Sequence, residues 1–168
     1  MRDRRGAAAL FLLVWLSCAW FGSWEFNPNN STRLFAAISL AENGDATIDE
    51  FAGLTIDKAQ FGTHVYLDKA PGMTLMAVPW VWAADAATGD SARMHDKWIG
   101  DEGLARFLRL RLRLATAMGP ALLTGLAAAL LYDLALALTG SGAAAVFAAL
   151  GFALGTPCLL YTSPSPRD

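Results

Sequence analysis

The densest group of chemically versatile side chains is His64, Tyr66, Asp68 and Lys69, immediately before Ala70-Pro71-Gly72. Asp68 could supply an oxygen and His64 a nitrogen to a divalent cation. Lys69 could neutralise a phosphate as a compact point charge. The same stretch also suits a solvated acidic loop carrying one lysine, because its spacing alone does not specify a metal. Glu25 and Arg33 flank the entry to this polar region, where a membrane surface would set them near lipid phosphates. Glu25 by itself equally suits an ordinary interfacial residue. The chain carries no GxSxG, Walker loop, HExxH or paired CxxC. Its two cysteines, Cys18 and Cys158, make no disulfide framework. Asn29-Asn30-Ser31-Thr32 contains two overlapping glycosylation sequons, which matter only in a secretory pathway that uses them.

The elements that would position these residues follow from composition. The 168 residues are 55% apolar with glycine left out and only 17% charged, and mean hydropathy is +0.37. Soluble domains average about 45–50% apolar with glycine included and about 25% charged. Residues 7–26 and 114–160 are almost free of charge, whereas 27–113 hold most of the acids and bases. A disordered chain and a disulfide scaffold are excluded, and a net charge of -2 offers nucleic acid no broad basic face.

A spanning helix needs about 20 apolar residues. Ala7–Phe26 supplies the first, with Glu25 as its only charge. Arg2, Arg4 and Arg5 precede it and predict a cytoplasmic N-terminus. A cleaved signal peptide is the alternative, with Ser17-Cys18-Ala19 as its small-residue site, but Trp20, Phe21 and Trp24 suit an interfacial aromatic belt better. Leu114–Leu138 is the second span, broken only by Asp133, which lies close enough to the cytoplasmic end to reach the interface. After the turn Thr139-Gly140-Ser141-Gly142, Ala143–Leu160 forms a third apolar run and closes an antiparallel hairpin. The small residues in both runs allow close helix approach. Arg106, Arg109, Arg111 and Arg113 precede the second span on the outer side, where the positive-inside rule weakens for loops longer than about 60 residues. They suit headgroup anchoring by snorkelling, or part of the cluster faces an anionic lipid-linked substrate.

The connecting loop is acidic, with eleven acids and five Lys or Arg between Asn27 and Ala105. Asn30 or Ser31 is expected to cap a helix over Thr32–Glu42 with one apolar face, ended by Asn43-Gly44. Thr47–Asp49 and Thr63–Leu67 have strand-like patterning, with Gly53 and Gly62 as punctuation. Ala70–Ala84 has fifteen residues without charge, is interrupted by Pro71 and Pro79, and carries Trp80 and Trp82. It is expected to lie in the plane of the membrane interface. Residues 88–103 form a polar excursion.

The order of these features resembles the N-terminal third of the integral-membrane glycosyltransferases of the C superfamily, such as the protein O-mannosyltransferases and the aminoarabinose transferase of lipid A. Asn27-x-x-Asn-Ser-Thr-Arg-Leu-Phe-Ala36, Ala41-Glu-Asn-Gly44, Gly62-Thr-His-Val-Tyr66 and Asp68-Lys-Ala-Pro-Gly72 carry the resemblance, which covers about residues 5–157. It implies an all-α, multi-span membrane fold whose first extracytoplasmic loop carries membrane-parallel helices, matching 32–42 and 70–84. It also implies sugar transfer from a polyprenyl-phosphate donor at the outer face of a bacterial inner membrane. By the same resemblance, Asp68 and Lys69 contribute to metal and donor-phosphate binding and Arg33 is retained as a phosphate-binding candidate; His64 is a metal candidate on its own chemistry. The family places an Asp-Glu pair after the first span, one member acting as base. Here Asn30-Ser31 aligns with it, and an amide cannot accept a proton as a carboxylate does. The catalytic position therefore falls to Asn30 in alignment; either Glu25 or an acid beyond this stretch substitutes for it as base, or the chemistry has diverged. Residues 158–168 (CLLYTSPSPRD) break the apolar pattern and look like translated adapter read-through; a short polar tail is the alternative. On the first reading the chain is a fragment, expected to be inactive alone. The competing function is a non-catalytic membrane receptor or scaffold whose acidic loop binds a partner or cation.

Overall fold

The computed structural model describes residues 4–21 and 27–155. Glu25 and residues 156–168 lie outside the described residues, so the expectations placed on them are not addressed by it. The chain is mostly helical, as expected, and divides into two compact units.

The first unit contains α1 (Arg4–Phe21), a π turn (Ala117–Ala121), α5 (Leu122–Thr139) and α6 (Gly142–Gly155). Its buried positions are mostly small. Ala121, Gly125 and Ala128 face inward before and along α5, and Ala145, Ala149 and Ala153 recur at i, i+4 and i+8 on α6. A side-chain carbon at Gly125 would lie 3.0 Å from Trp15 Cβ and 3.1 Å from the Phe11 carbonyl, so glycine is what lets α5 approach α1. Pro120 has no N–H to give the helical ladder, and the backbone widens there into the π turn. The Trp15 indole N–H donates to the Ala117 carbonyl at 2.8 Å, meeting an acceptor in that irregular turn. Gly140 ends α5 in the left-handed region (φ 64°), and Ser141 Oγ accepts from the Ala144 N–H at 3.3 Å to start α6.

Two helices are long and apolar enough to cross a membrane: Arg4–Phe21, and the continuous run Glu102–Thr139. The second begins well before the apolar stretch expected to open at Leu114. Described α6 is a shorter apolar helix of 14 residues.

The second unit contains α2 (Pro28–Glu42), β1 (Ala59–Phe61), β2 (His64–Tyr66), α3 (Gly72–Thr88) and α4 (Glu102–Thr116), with short 3-10 turns at Asp49–Phe51 and Ala92–Met94. Helix α2 starts earlier than expected. Asn27, in extended geometry, accepts from the Asn30 N–H at 2.9 Å, and Pro28 fills the first helical position, where a missing N–H costs nothing. The cap is therefore Asn27 rather than Asn30 or Ser31. A second correction concerns its faces: Leu34, Phe35, Ala36, Ala37 and Ile38 are all buried in succession, so α2 is the core helix of this unit instead of one with a single apolar face. Phe35 stacks on Phe51 at 4.5 Å between ring centroids.

Helix α3 packs on α2 through Thr74, Ala77, Val81 and Ala84, and it runs to Thr88 before Gly89 (φ 66°) ends it. Its outward side carries exposed Leu75 and Trp82, with Pro79 between them, so the gap in the helical ladder faces away from the core. The expected strand at 63–67 is the β2 strand of a two-residue hairpin turned at Gly62 (φ 62°), and Thr47 bridges Tyr66. Asp49 opens a 3-10 turn rather than continuing a strand.

Candidate functional site

Lys69 follows the hairpin and precedes α3. Its Nζ donates to Asp57 Oδ1 at 2.8 Å and to Asp68 Oδ2 at 3.1 Å. Asp57 first, and Asp68 second, hold the ammonium above the ordinary lysine range. For Asp68, burial opposes ionisation, but the Lys69 charge and hydrogen bond outweigh it and keep the carboxyl below its usual range.

Two threonines fix the backbone of Asp57. Thr55 Oγ1 accepts from the Asp57 N–H at 3.1 Å and lies 2.9 Å from Thr32 Oγ1, which donates to the Asp57 carbonyl at 2.8 Å. Thr32 also approaches the Pro28 carbonyl at 2.7 Å, so its single proton is shared between two acceptors. Both hydroxyls are buried, and they tie the 55–57 segment to the first turns of α2. Arg33 is next on that helix. Its Nη1 donates to the Asn29 carbonyl at 3.3 Å, and its own carbonyl accepts from Thr74 Oγ1 at 3.3 Å. Arg33 Nε and Asp57 Oδ2 are buried without a hydrogen-bond partner among the described residues.

The remaining candidates fall elsewhere. Asn30 gives its N–H to the α2 cap. His64 Nδ1 lies 2.6 Å from Asp49 Oδ2, while Asp49 Oδ1 accepts from the Val65 N–H at 2.6 Å. The His64 hydrogen bond, and then the Val65 N–H, depress the Asp49 carboxyl. His64 and Asp68 thus have different partners, and among the described residues no three His, Cys, Asp or Glu side chains are grouped to hold a metal. Among the described residues, His64 and Asp68 alone do not make up a donor set for a cation.

Sequence reasoning missed Asp57, Thr32 and Thr55. One signal was present: Asp57-Lys58-Ala59 repeats Asp68-Lys69-Ala70. The second lysine joins the two carboxylates, whereas Lys58 turns to the Ala52 carbonyl.

A second polar cluster is structural. Arg111 is fully buried; its Nε donates to Asp85 Oδ1 at 2.7 Å, Nη2 to the Asp90 carbonyl at 2.8 Å and Nη1 to the Phe107 carbonyl at 3.1 Å. Its guanidinium carbon stands 3.4 Å from the Phe107 ring centroid. This corrects the uniform picture of four headgroup-facing arginines: Arg111 points into the core, while Arg106, Arg109 and Arg113 are exposed. Burial raises the Asp85 carboxyl, with Arg111 opposing, and burial likewise raises Glu42, whose Oε1 accepts from the Ala92 N–H at 2.8 Å.

Comparison of the whole chain with known families, with curated proteins and with solved structures finds no match.

Proposed function

We propose that this chain forms part of an integral-membrane glycosyltransferase of the C superfamily, which takes a sugar from a polyprenyl-phosphate donor at the outer face of the membrane. The observation that carries this reading is the Lys69 ammonium, clamped between Asp57 and Asp68 beside a helix whose outward side is apolar. A lysine has three N–H donors. Two are committed to carboxylates, and the third is available to an oxygen of the donor phosphate. As the sugar leaves, charge grows on that phosphate; an ammonium already held in place donates to it without reorganising, and a further cation is needed to offset the two carboxylates that hold Lys69. Arg33 adds a second cation on α2. Glu25, not Asn30, is the residue of the pair able to accept a proton from an acceptor hydroxyl.

The membrane setting is supported by an inverted distribution of side chains in the first unit. Alanine and glycine are inside, while Leu123, Leu126, Leu130, Leu134 and Leu138 are exposed along one side of α5. Such packing gains little from hydrophobic burial in water but suits helices solvated by lipid. On this reading the N-terminus is cytoplasmic and residues 27–113 are extracytoplasmic.

The test is transfer of labelled sugar from a polyprenyl-phosphate donor by the protein expressed from its complete gene in membranes. Lys69→Ala is expected to lower transfer by about 100-fold, the scale of losing one preorganised charge-stabilising donor. Unchanged transfer would remove Lys69 from the site. A second reading, a non-catalytic receptor or scaffold, is favoured by Asn30-Ser31, which place no carboxylate where the family has two. It predicts no transfer by the wild-type protein.

A further inference from the structure

We infer that the exposed face of α4 is a docking surface for anionic phospholipid headgroups. The inference rests on the membrane setting proposed above and is independent of glycosyl transfer. Helix α4 sorts its four arginines by helical phase. Leu104, Phe107, Leu108, Arg111 and Leu112 are buried, and Arg111 spends its guanidinium on Asp85 and two carbonyls. Arg106, Arg109 and Arg113 stand on the opposite side at i, i+3 and i+7, together with Leu110, which is 39% exposed. Neither Arg106 nor Arg109 has an ion-pair partner among the described residues. Glu102 lies four residues before Arg106 but does not bridge to it.

Glu102 opens this face at its N-terminal end, but from Arg106 to Arg113 the exposed charges are all positive and are interleaved with an apolar side chain. Such an arrangement fits a surface that is anionic at one level and apolar just beneath it, with long arginine stems lying along the boundary. Arg106 to Arg113 covers seven residues, about 10 Å of helix. The polar layer on each side of the hydrocarbon is about 5–8 Å deep, so flexible guanidinium groups at both ends of the stripe can reach it. Arg113 directly precedes the apolar run that opens at Leu114, so the chain itself delivers the stripe to the edge of the hydrocarbon. A free phosphate or a soluble acidic protein would account for the charge but not for Leu110 or for this adjacency.

The experiment uses the protein from its complete gene, reconstituted in nanodiscs of mixed phosphatidylcholine and phosphatidylglycerol, with retained lipid counted by native mass spectrometry. The wild type is expected to retain phosphatidylglycerol preferentially, and less so as salt is raised. At about 1 kcal/mol per basic residue near an anionic surface, or about fivefold, Arg106→Gln with Arg109→Gln should reduce that preference by about 25-fold. The Arg106→Lys, Arg109→Lys pair should keep most of it. Both side chains are exposed, so an unchanged unfolding midpoint verifies that the variants fold. No preference in the wild type, or an undiminished one in the glutamine pair, overturns the inference. Displacement of phosphatidylglycerol by one equivalent of undecaprenyl phosphate also overturns it, because the surface would then belong to the donor.

Discussion

Lys69 lies closer to Asp57, twelve residues away at 2.8 Å, than to its sequence neighbour Asp68 at 3.1 Å. The longer-range partner is also the one with its backbone pinned by Thr32 and Thr55. The position of the ammonium is therefore set by the 55–57 segment, which Thr32 ties to the first turns of α2.

Because Asp57 is the main group holding Lys69 protonated, Asp57→Asn is expected to lower the Lys69 pKa. At pH 9 to 10 more free amine would be present, and acylation of Lys69 would accelerate relative to wild type. Peptide mass spectrometry after timed labelling measures this; an unchanged rate means that Asp57 does not control the lysine.

Arg111→Ala would leave the Asp85 carboxylate in a mostly buried place without its cation. Breaking a buried pair from one side costs about 3–5 kcal/mol, whereas replacing both partners by apolar side chains is often near neutral. Denaturant unfolding should show Arg111→Ala much less stable than the paired change Arg111→Met with Asp85→Leu. Equal losses would contradict the buried-pair account.

Gly125→Val is expected to destabilise the helical unit by about 1–3 kcal/mol, the usual cost of overpacking, since Trp15 Cβ and the Phe11 backbone occupy the required space. Gly151→Ala, with nothing within 4 Å of the added carbon, should be neutral or slightly stabilising. Thermal unfolding of the two variants side by side separates close packing from a general effect of replacing glycine.

The Asp49 carboxyl is depressed in the folded state, so its contribution is present above the unfolded value of about 3.9 and is lost as pH falls through the folded value. The Val65 amide should therefore stay protected from hydrogen exchange at about pH 4 and lose that protection only as pH falls further, while amides in α2 keep theirs. Asp49→Asn should abolish the pH dependence. Protection of Val65 that persists through this range in the wild type would place its hydrogen bond elsewhere.

Much of this arrangement is legible in the sequence. Uncharged runs marked α1, α5, α6 and α3, because length and apolarity are local properties. Boundaries were less so. Asn27, Asn30 and Ser31 are all competent caps, and Pro28 decided among them by occupying the first helical position. Absence of charge marks α3 only as far as Ala84, whereas the helix runs on through Asp85 to Thr88 and ends at left-handed Gly89; the pairing of Asp85 with Arg111 has no local signature. The burial of Arg111 was readable in principle, since it shares helical phase with Leu104, Phe107 and Leu108. His64 and Asp68 are close in sequence, but their partners come from different segments: His64 reaches Asp49 and Asp68 holds Lys69. Asp57 belongs to the site through a contact between segments, which spacing cannot reveal.

The central claim is that the polar segment carrying Lys69 lies outside the membrane. It is tested most directly by replacing Cys18 and Cys158 with serine and introducing Gln60→Cys, an exposed position on β1. Intact cells are then treated with a membrane-impermeant maleimide. Labelling of position 60 before permeabilisation is the predicted result; labelling only after the membrane is opened would contradict the account.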